Sequence, residues 1–418
     1  MVSDTDLFIS YGVLMTAALV PIYFGSYASL ETPKSTRELK REAKKKKKAA
    51  RKAAAATSDS DDSDDDDGWG SDSDDDDGET MTERLTSSDA WLFPVMGSAV
   101  LFGMFLVFKY INKEYVNMLL GVYFGLVGCF AVSKVFVAVT KAATPRSLWK
   151  RLPAFRFSLQ QRGQGEILRA RFTHVDVGLF ILSAVLNGVY MVTKNWIISN
   201  LLALSLALNA ISLMSLDSFR TGAIMLGGLF LYDIFWVFGT PVMVTVARNF
   251  DAPIKIVWPK NILDALAALR AGGEVPRLQM TMLGLGDIVI PGVFVALALR
   301  YDQTVAAQRT PSIGFTRSYT RFAKPYFAAT LLAYVLGLAT TMAVMHVFKA
   351  AQPALLYLSP ACVGAIAITS LVRGEFKEVW AWTEDDGSEG EGSEGREDEK
   401  KPARSNKKKD ELKKRKDK

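Results

Sequence analysis

Residues 278–299 read LQMTMLGLGDIVIPGVFVALAL, an apolar run with a single acid, Asp287. A helix rises ~1.5 Å per residue, so 18 or more apolar residues cross a hydrocarbon layer of ~30 Å. A carboxylate inside such a run costs ~2.5–3.5 kcal/mol on insertion scales. Residues 220–246, RTGAIMLGGLFLYDIFWVFGTPVMVTV, repeat the situation, with Asp233 as their only acid. Two costly acids in two separate apolar runs decide how the rest of the chain is read.

Outward from these runs, the 418-residue chain carries seven further apolar segments, at 7–28, 91–111, 115–139, 174–193, 197–216, 326–347 and 353–372. Charge is crowded into 31–89, 141–171 and 373–418. This distribution excludes a soluble enzyme and predicts an all-α, polytopic membrane protein, a bundle of nine transmembrane helices. The net charge of +6 sums a polybasic run, a polyacidic run and a basic tail, so it points to no nucleic-acid partner. The domain reading is a first transmembrane helix (1–30), a basic then acidic loop (31–89), a bundle of spans two to five (90–216), a region of spans six to nine holding both acids (217–375), and a tail (376–418). The loop and the tail are too polar to bury a core and are expected to be disordered and cytosolic. Residues 7–28 lack a basic flank before them and are too long for the core of a cleavable leader, so they are expected to remain as the first span.

Loop charge sets the orientation. One set of loops holds the run Lys44 to Lys48, eight Lys/Arg between Lys141 and Arg171, and five between Arg300 and Lys324. The other set is sparse except for 247–277, whose five basic residues are offset by Asp251, Asp264 and Glu274. The basic set is cytosolic by the positive-inside rule, which puts the N-terminus in the lumen and the tail in the cytosol. The basic run suits anionic lipid. Ser58, Ser60, Ser63, Ser71 and Ser73, each near a following acid, suit an acid-preferring kinase. Lys414 and Lys416 near the end resemble a dilysine retrieval signal of the endoplasmic reticulum, against the plainer reading of a soluble basic tail. Cys129 and Cys362 lie within spans and read as apolar fillers. The two histidines, His174 and His346, make a poor basis for a metal site. No Asn-x-Ser/Thr sequon is present.

No Lys or Arg sits at a depth to pair with either acid. Two carboxylates facing each other cannot both ionise cheaply; one keeps a proton and the other does not. That division suits an aspartic protease, in which the base activates water and the acid protonates the carbonyl oxygen. A proton or cation transporter is the rival use of the pair, and would favour inverted repeats, which the sequence lacks. A scaffold that retains membrane helices for degradation is a third reading. The flanks favour the protease. Gly284, Leu285 and Gly286 precede Asp287 and let a substrate backbone approach. Tyr232 precedes Asp233 with a hydroxyl, and Gly239, Thr240 and Pro241 should loosen the helix after it. Loosened backbone at membrane depth is tolerated where it lines a wet cavity. Gln352, Pro353, Ala354 and Leu355 open the last span. Because 278–299 places Asp287 shallower than Asp233, its helix is expected to begin before residue 278 or to tilt.

Tyr232-Asp233, Gly284-Leu285-Gly286-Asp287 and Pro353-Ala354-Leu355, in this order on spans six, seven and nine, resemble the signature of the GxGD intramembrane aspartyl proteases, the presenilin and signal peptide peptidase group. YDIFWVFGTPVMVTVA, MLGLGDIVIPG and QPALLYLSPACVG are more similar to the signal peptide peptidase branch, and the likeness runs from about residue 90 to 380. The resemblance implies an endoplasmic reticulum protease that needs no cofactor or partner subunit. It implies cleavage of transmembrane helices of type II orientation, chiefly remnant signal peptides. It also implies Asp233 and Asp287 as catalytic residues, with Pro353 to Leu355 in support. Homo-oligomers and endoplasmic reticulum degradation partners stay open. The insertion at 31–89 departs from the pattern and bears on regulation rather than chemistry.

Overall fold

The computed structural model describes residues 4–32, 83–145, 154–161, 164–249, 252–271, 277–310, 321–348 and 352–384, with three isolated positions within 42–49. The expected disorder of 31–89 and of the tail, the kinase-site serines and the dilysine element fall almost wholly outside the described residues.

Nine helices among the described residues are long and apolar enough to cross a membrane. They are α1 (Asp4–Ala28), α2 (Ser87–Tyr110), α3 (Lys113–Ala143), α4 (His174–Thr193), α5 (Trp196–Leu213), α6 (Phe219–Phe238), α9 (Gly286–Arg309), α10 (Pro325–Phe348) and α11 (Leu355–Val372). Shorter helices are α7 (Val242–Asn249), α8 (Ile262–Arg270) and α12 (Phe376–Ala381). Six short strands among the described residues join them: β1 (Glu83–Leu85), β2 (Ala154–Gln161), β3 (Gln164–Thr173), β4 (Met214–Leu216), β5 (Lys255–Pro259) and β6 (Met280–Gly284). They form three two-stranded ladders, β1–β4 parallel, β2–β3 and β5–β6 antiparallel.

Local chemistry sets the helix ends. Asn112 and Asn195 accept the N–H of Glu114 and Ile197, and Ser218 accepts that of Thr221. Lys194 takes a left-handed conformation, φ 49°, in the short turn between α4 and α5. Helices in lipid gain little from apolar transfer, so close approach and interhelical hydrogen bonds hold them together. A Cβ on Gly222 would lie 2.5 Å from Phe294, and one on Gly292 would lie 2.6 Å from Ile211. Asn209 donates to the carbonyl of Ala131 at 3.0 Å, and Asn187 donates to that of Gly125.

The bundle is organised around α9, whose residues Pro291 to Arg300 are buried without a break. It packs against α1, α5, α6, α10 and α11. A helix apolar all round is the kind that suits such a centre. At the periphery, α2 turns Trp91, Val95 and Val100 outward, each more than 60% exposed.

Three expectations need correction. The helix bearing Asp287 begins at Gly286, not before residue 278, because residues 280–284 pair with β5 as a strand. It also runs on to Arg309, so Asp302 shares the helix with Asp287. Asp302 accepts the backbone N–H groups of Tyr326 and Phe327, at 3.4 and 2.9 Å, and so caps α10. The span 220–246 is two helices, α6 and α7, parted at Gly239 to Pro241 as the turn residues suggest. The strands add to the all-α reading: β2 and β3 lie in the stretch read as a loop, and β1 and α12 at the edges of the expected loop and tail.

Candidate active site

Asp233 lies fourteen residues into α6 and is 5% exposed. Asp287 lies in the first turn of α9. Consecutive spans run in opposite directions, which brings the end of α6 and the start of α9 to one depth. The mismatch read from span limits is resolved by a strand. β6 carries the chain in extended form up to Gly284, and α9 starts at Gly286, one residue before Asp287.

The glycines act here by geometry. Gly284 ends β6 opposite Lys255, and the N–H of Leu285 donates to the carbonyl of Ile254 at 3.0 Å before the chain turns into α9. The Asp287 carboxylate folds back over Gly284: a Cβ there would lie 3.4 Å from Oδ2. Gly286 faces open space. Carboxylates 233 and 287 lie within electrostatic reach of one another.

The last span completes the arrangement. Ala354 and Leu355 open α11, which packs against both α6 and α9. The backbone N–H of Leu355 faces the Asp233 carboxylate. Gln352 and Ala354 line a cavity of about 550 Å³ that also receives Gly284 and Asp287. Pro353 is buried, and its carbonyl accepts the N–H of Leu356 at 3.3 Å. Tyr232 is within electrostatic reach of Asp233, while its ring packs against Gly97 of α2 and Trp236. Among the described residues its hydroxyl makes no hydrogen bond to Asp233.

Tyr334 of α10 is a site residue that the sequence reading misses. It is fully buried and its hydroxyl donates to the carbonyl of Asp287 at 3.4 Å. A tyrosine in the middle of an apolar span was the available signal, since a buried phenol needs a partner.

β6 also offers an edge. In an antiparallel pair, successive residues turn their backbone groups alternately toward and away from the partner. Gln279 accepts from Lys260 and Leu285 donates to Ile254, the residues flanking β5, so Met280, Met282 and Gly284 turn their N–H and C=O away from it. The opposite edge is closed, because Asn200 both accepts the N–H of Val257 and donates to its carbonyl. The open edge borders the cavity and runs to Asp287.

Comparison with known proteins gives the family. Residues 77–386 match the signal peptide peptidase family. The chain is 36% identical over 378 residues to the signal peptide peptidase of Homo sapiens, covering 90% of this chain and 84% of that protein. The Mus musculus signal peptide peptidase is equally similar. A "Probable intramembrane protease" of Schizosaccharomyces pombe is 37% identical over 305 residues, 72% of this chain and 85% of that protein. The chain is thus a multi-pass intramembrane protease, and it belongs to the signal peptide peptidase family.

Proposed function

We propose that the chain is an aspartic endopeptidase whose catalytic residues are Asp233 and Asp287. It cuts transmembrane helices of type II orientation, chiefly remnant signal peptides, in the endoplasmic reticulum membrane. The single observation that carries this reading is convergence. Two acids from separate spans come within electrostatic reach of one another, and one of them, Asp287, lines a cavity beside an open strand edge.

Hydrolysis needs a water, a base and an acid. One carboxylate, ionised, takes a proton from water held between the pair; the other, protonated, gives its proton to the scissile carbonyl oxygen. The tetrahedral intermediate collapses as the amine departs with a proton, and no covalent adduct to the protein forms. The pair divides these two roles between Asp233 and Asp287. A helical peptide bond is closed to attack by its own hydrogen bonds. An unwound substrate segment laid along Met280, Met282 and Gly284 regains its lost backbone hydrogen bonds there and presents a bond beside Asp287.

Loop charge supports a lumenal N-terminus, a cytosolic tail and a lumenal cavity mouth. The test is cleavage of a model signal peptide in detergent micelles. Wild type is expected to cut it, and Asp233→Ala and Asp287→Ala to leave it intact. Equal cleavage by either variant would refute the assignment.

A further inference from the structure

The cavity beside Asp287 extends well beyond the reacting groups. Its walls come from α1, β6 and α10, and most of them are apolar, Leu14, Leu338 and Met342 among them. At the end of the ladder away from Asp287 stands Lys260, whose N–H bonds to Gln279 just before β6. His346 joins it on the lining, its ring against Phe8. Among the described residues the Lys260 ammonium forms no ion pair. Asp6, on the adjoining helix, is buried and accepts the N–H of Leu263 at 3.3 Å. A cation half-buried at the end of an apolar trough, with a carboxylate at the other end, is an arrangement for an anionic ligand.

We propose that Lys260 receives the free C-terminal carboxylate of the substrate. The inference rests on the reading of Asp233 and Asp287 as the cleaving pair and adds what lies at the far end of the groove. A signal peptide released by hydrolysis from the protein it led ends in a newly made carboxylate. In the type II orientation that end points to the face where Lys260 lies. An uncut membrane protein has no such group there. β6 has five residues. At ~3.3 Å per residue, a strand paired along it reaches about 16 Å from the aspartates to Lys260. The carboxylate therefore sits about five residues beyond the scissile bond, and Lys260 both selects peptides already cut and measures where to cut them.

The test uses the full chain in phosphatidylcholine vesicles and one signal-peptide sequence made with a C-terminal acid or a C-terminal amide. Wild type is expected to show a KM about tenfold lower for the acid, the size of a charge-assisted hydrogen bond. Lys260→Gln should bring the acid's KM to that of the amide, and Lys260→Arg should restore the preference. Cleavage of the acid should fall about five residues from its end and move with the end as residues are added or removed. Equal KM for acid and amide in wild type would overturn the proposal. So would an equal change for both peptides in Lys260→Gln, or a Lys260 effect that appears only when anionic lipid is added, which would assign the cation to a headgroup. Failure of the catalytic reading shows itself differently, as cleavage of either peptide by Asp287→Ala.

Discussion

The two aspartates reach one site by different routes. Asp233 is carried by a continuous helix that breaks only after it, at Gly239 to Pro241. Asp287 stands at a junction, with five residues of strand before it and a helix behind. One residue is fixed by packing, since α6 buries Leu226, Leu229 and Asp233 along one side. The other is fixed by backbone, through the Leu285 hydrogen bond, the Gly284 contact and the Tyr334 hydroxyl. The contrast teaches that packing along α6 holds Asp233, while the junction leaves an open backbone edge beside Asp287. Changes near Asp287 should therefore act on geometry and substrate approach, and changes near Asp233 chiefly on packing.

The largest effect should erase the contrast altogether. Asp233→Asn and Asp287→Asn should each lower kcat by roughly a thousandfold or more, and the double variant should be little worse than either, because the pair acts as a unit. Steady-state cleavage in micelles measures this. Multiplying losses would show two independent roles instead of one shared water.

The junction is tested next by its two glycines. Gly284→Val places branched carbons where the Asp287 carboxylate folds back, and should cost roughly 10- to 100-fold in kcat/KM. Gly286→Ala adds a methyl to open space and should cost far less. Comparable losses would mean that Gly284 matters for something other than the carboxylate. Tyr334→Phe removes a hydroxyl from the Asp287 carbonyl, and about 0.5–1.5 kcal/mol for a neutral hydrogen bond predicts a two- to tenfold loss of kcat.

The smallest effect belongs to the opposite end of α9, remote from both acids. There Glu375 accepts hydrogen bonds from Arg373 at 3.1 Å and from Tyr326 at 2.9 Å, and the Arg373 guanidinium holds its carboxyl below the usual range. A folded pKa below the unfolded one contributes stability above the unfolded value and loses it as pH falls through the folded value. Glu375→Gln should lower stability at neutral pH by ~1 kcal/mol or less, with cleavage unaltered. The difference should fade below about pH 4, as thermal unfolding in micelles would register.

How far the sequence could go follows from the same contrast. Asp233, the helix break at Gly239 to Pro241 and the opening of α11 were legible because a helix in lipid leaves a long apolar run and its ends carry turn residues. The start of α9 was not. Residues 278–285 are as apolar as the helix that follows, and a short apolar run gives no period by which to tell strand from helix. β5 was hidden in a loop whose pairing partner lies some 20 residues on, at Thr281 opposite Trp258. Asp302 was placed in a loop because the apolar run ends before it, although the helix continues and the carboxylate caps α10.

The central claim is that two carboxylates share one water. Its most direct test is the binding of a peptide that carries a hydroxyl-bearing tetrahedral isostere in place of the scissile amide, read by displacement from the purified protein. Wild type should bind the isostere at least about 100-fold tighter than the matched peptide, because it mimics the attacked carbonyl. Asp233→Asn and Asp287→Asn should each abolish that advantage. An isostere held with undiminished preference by either variant would contradict the account.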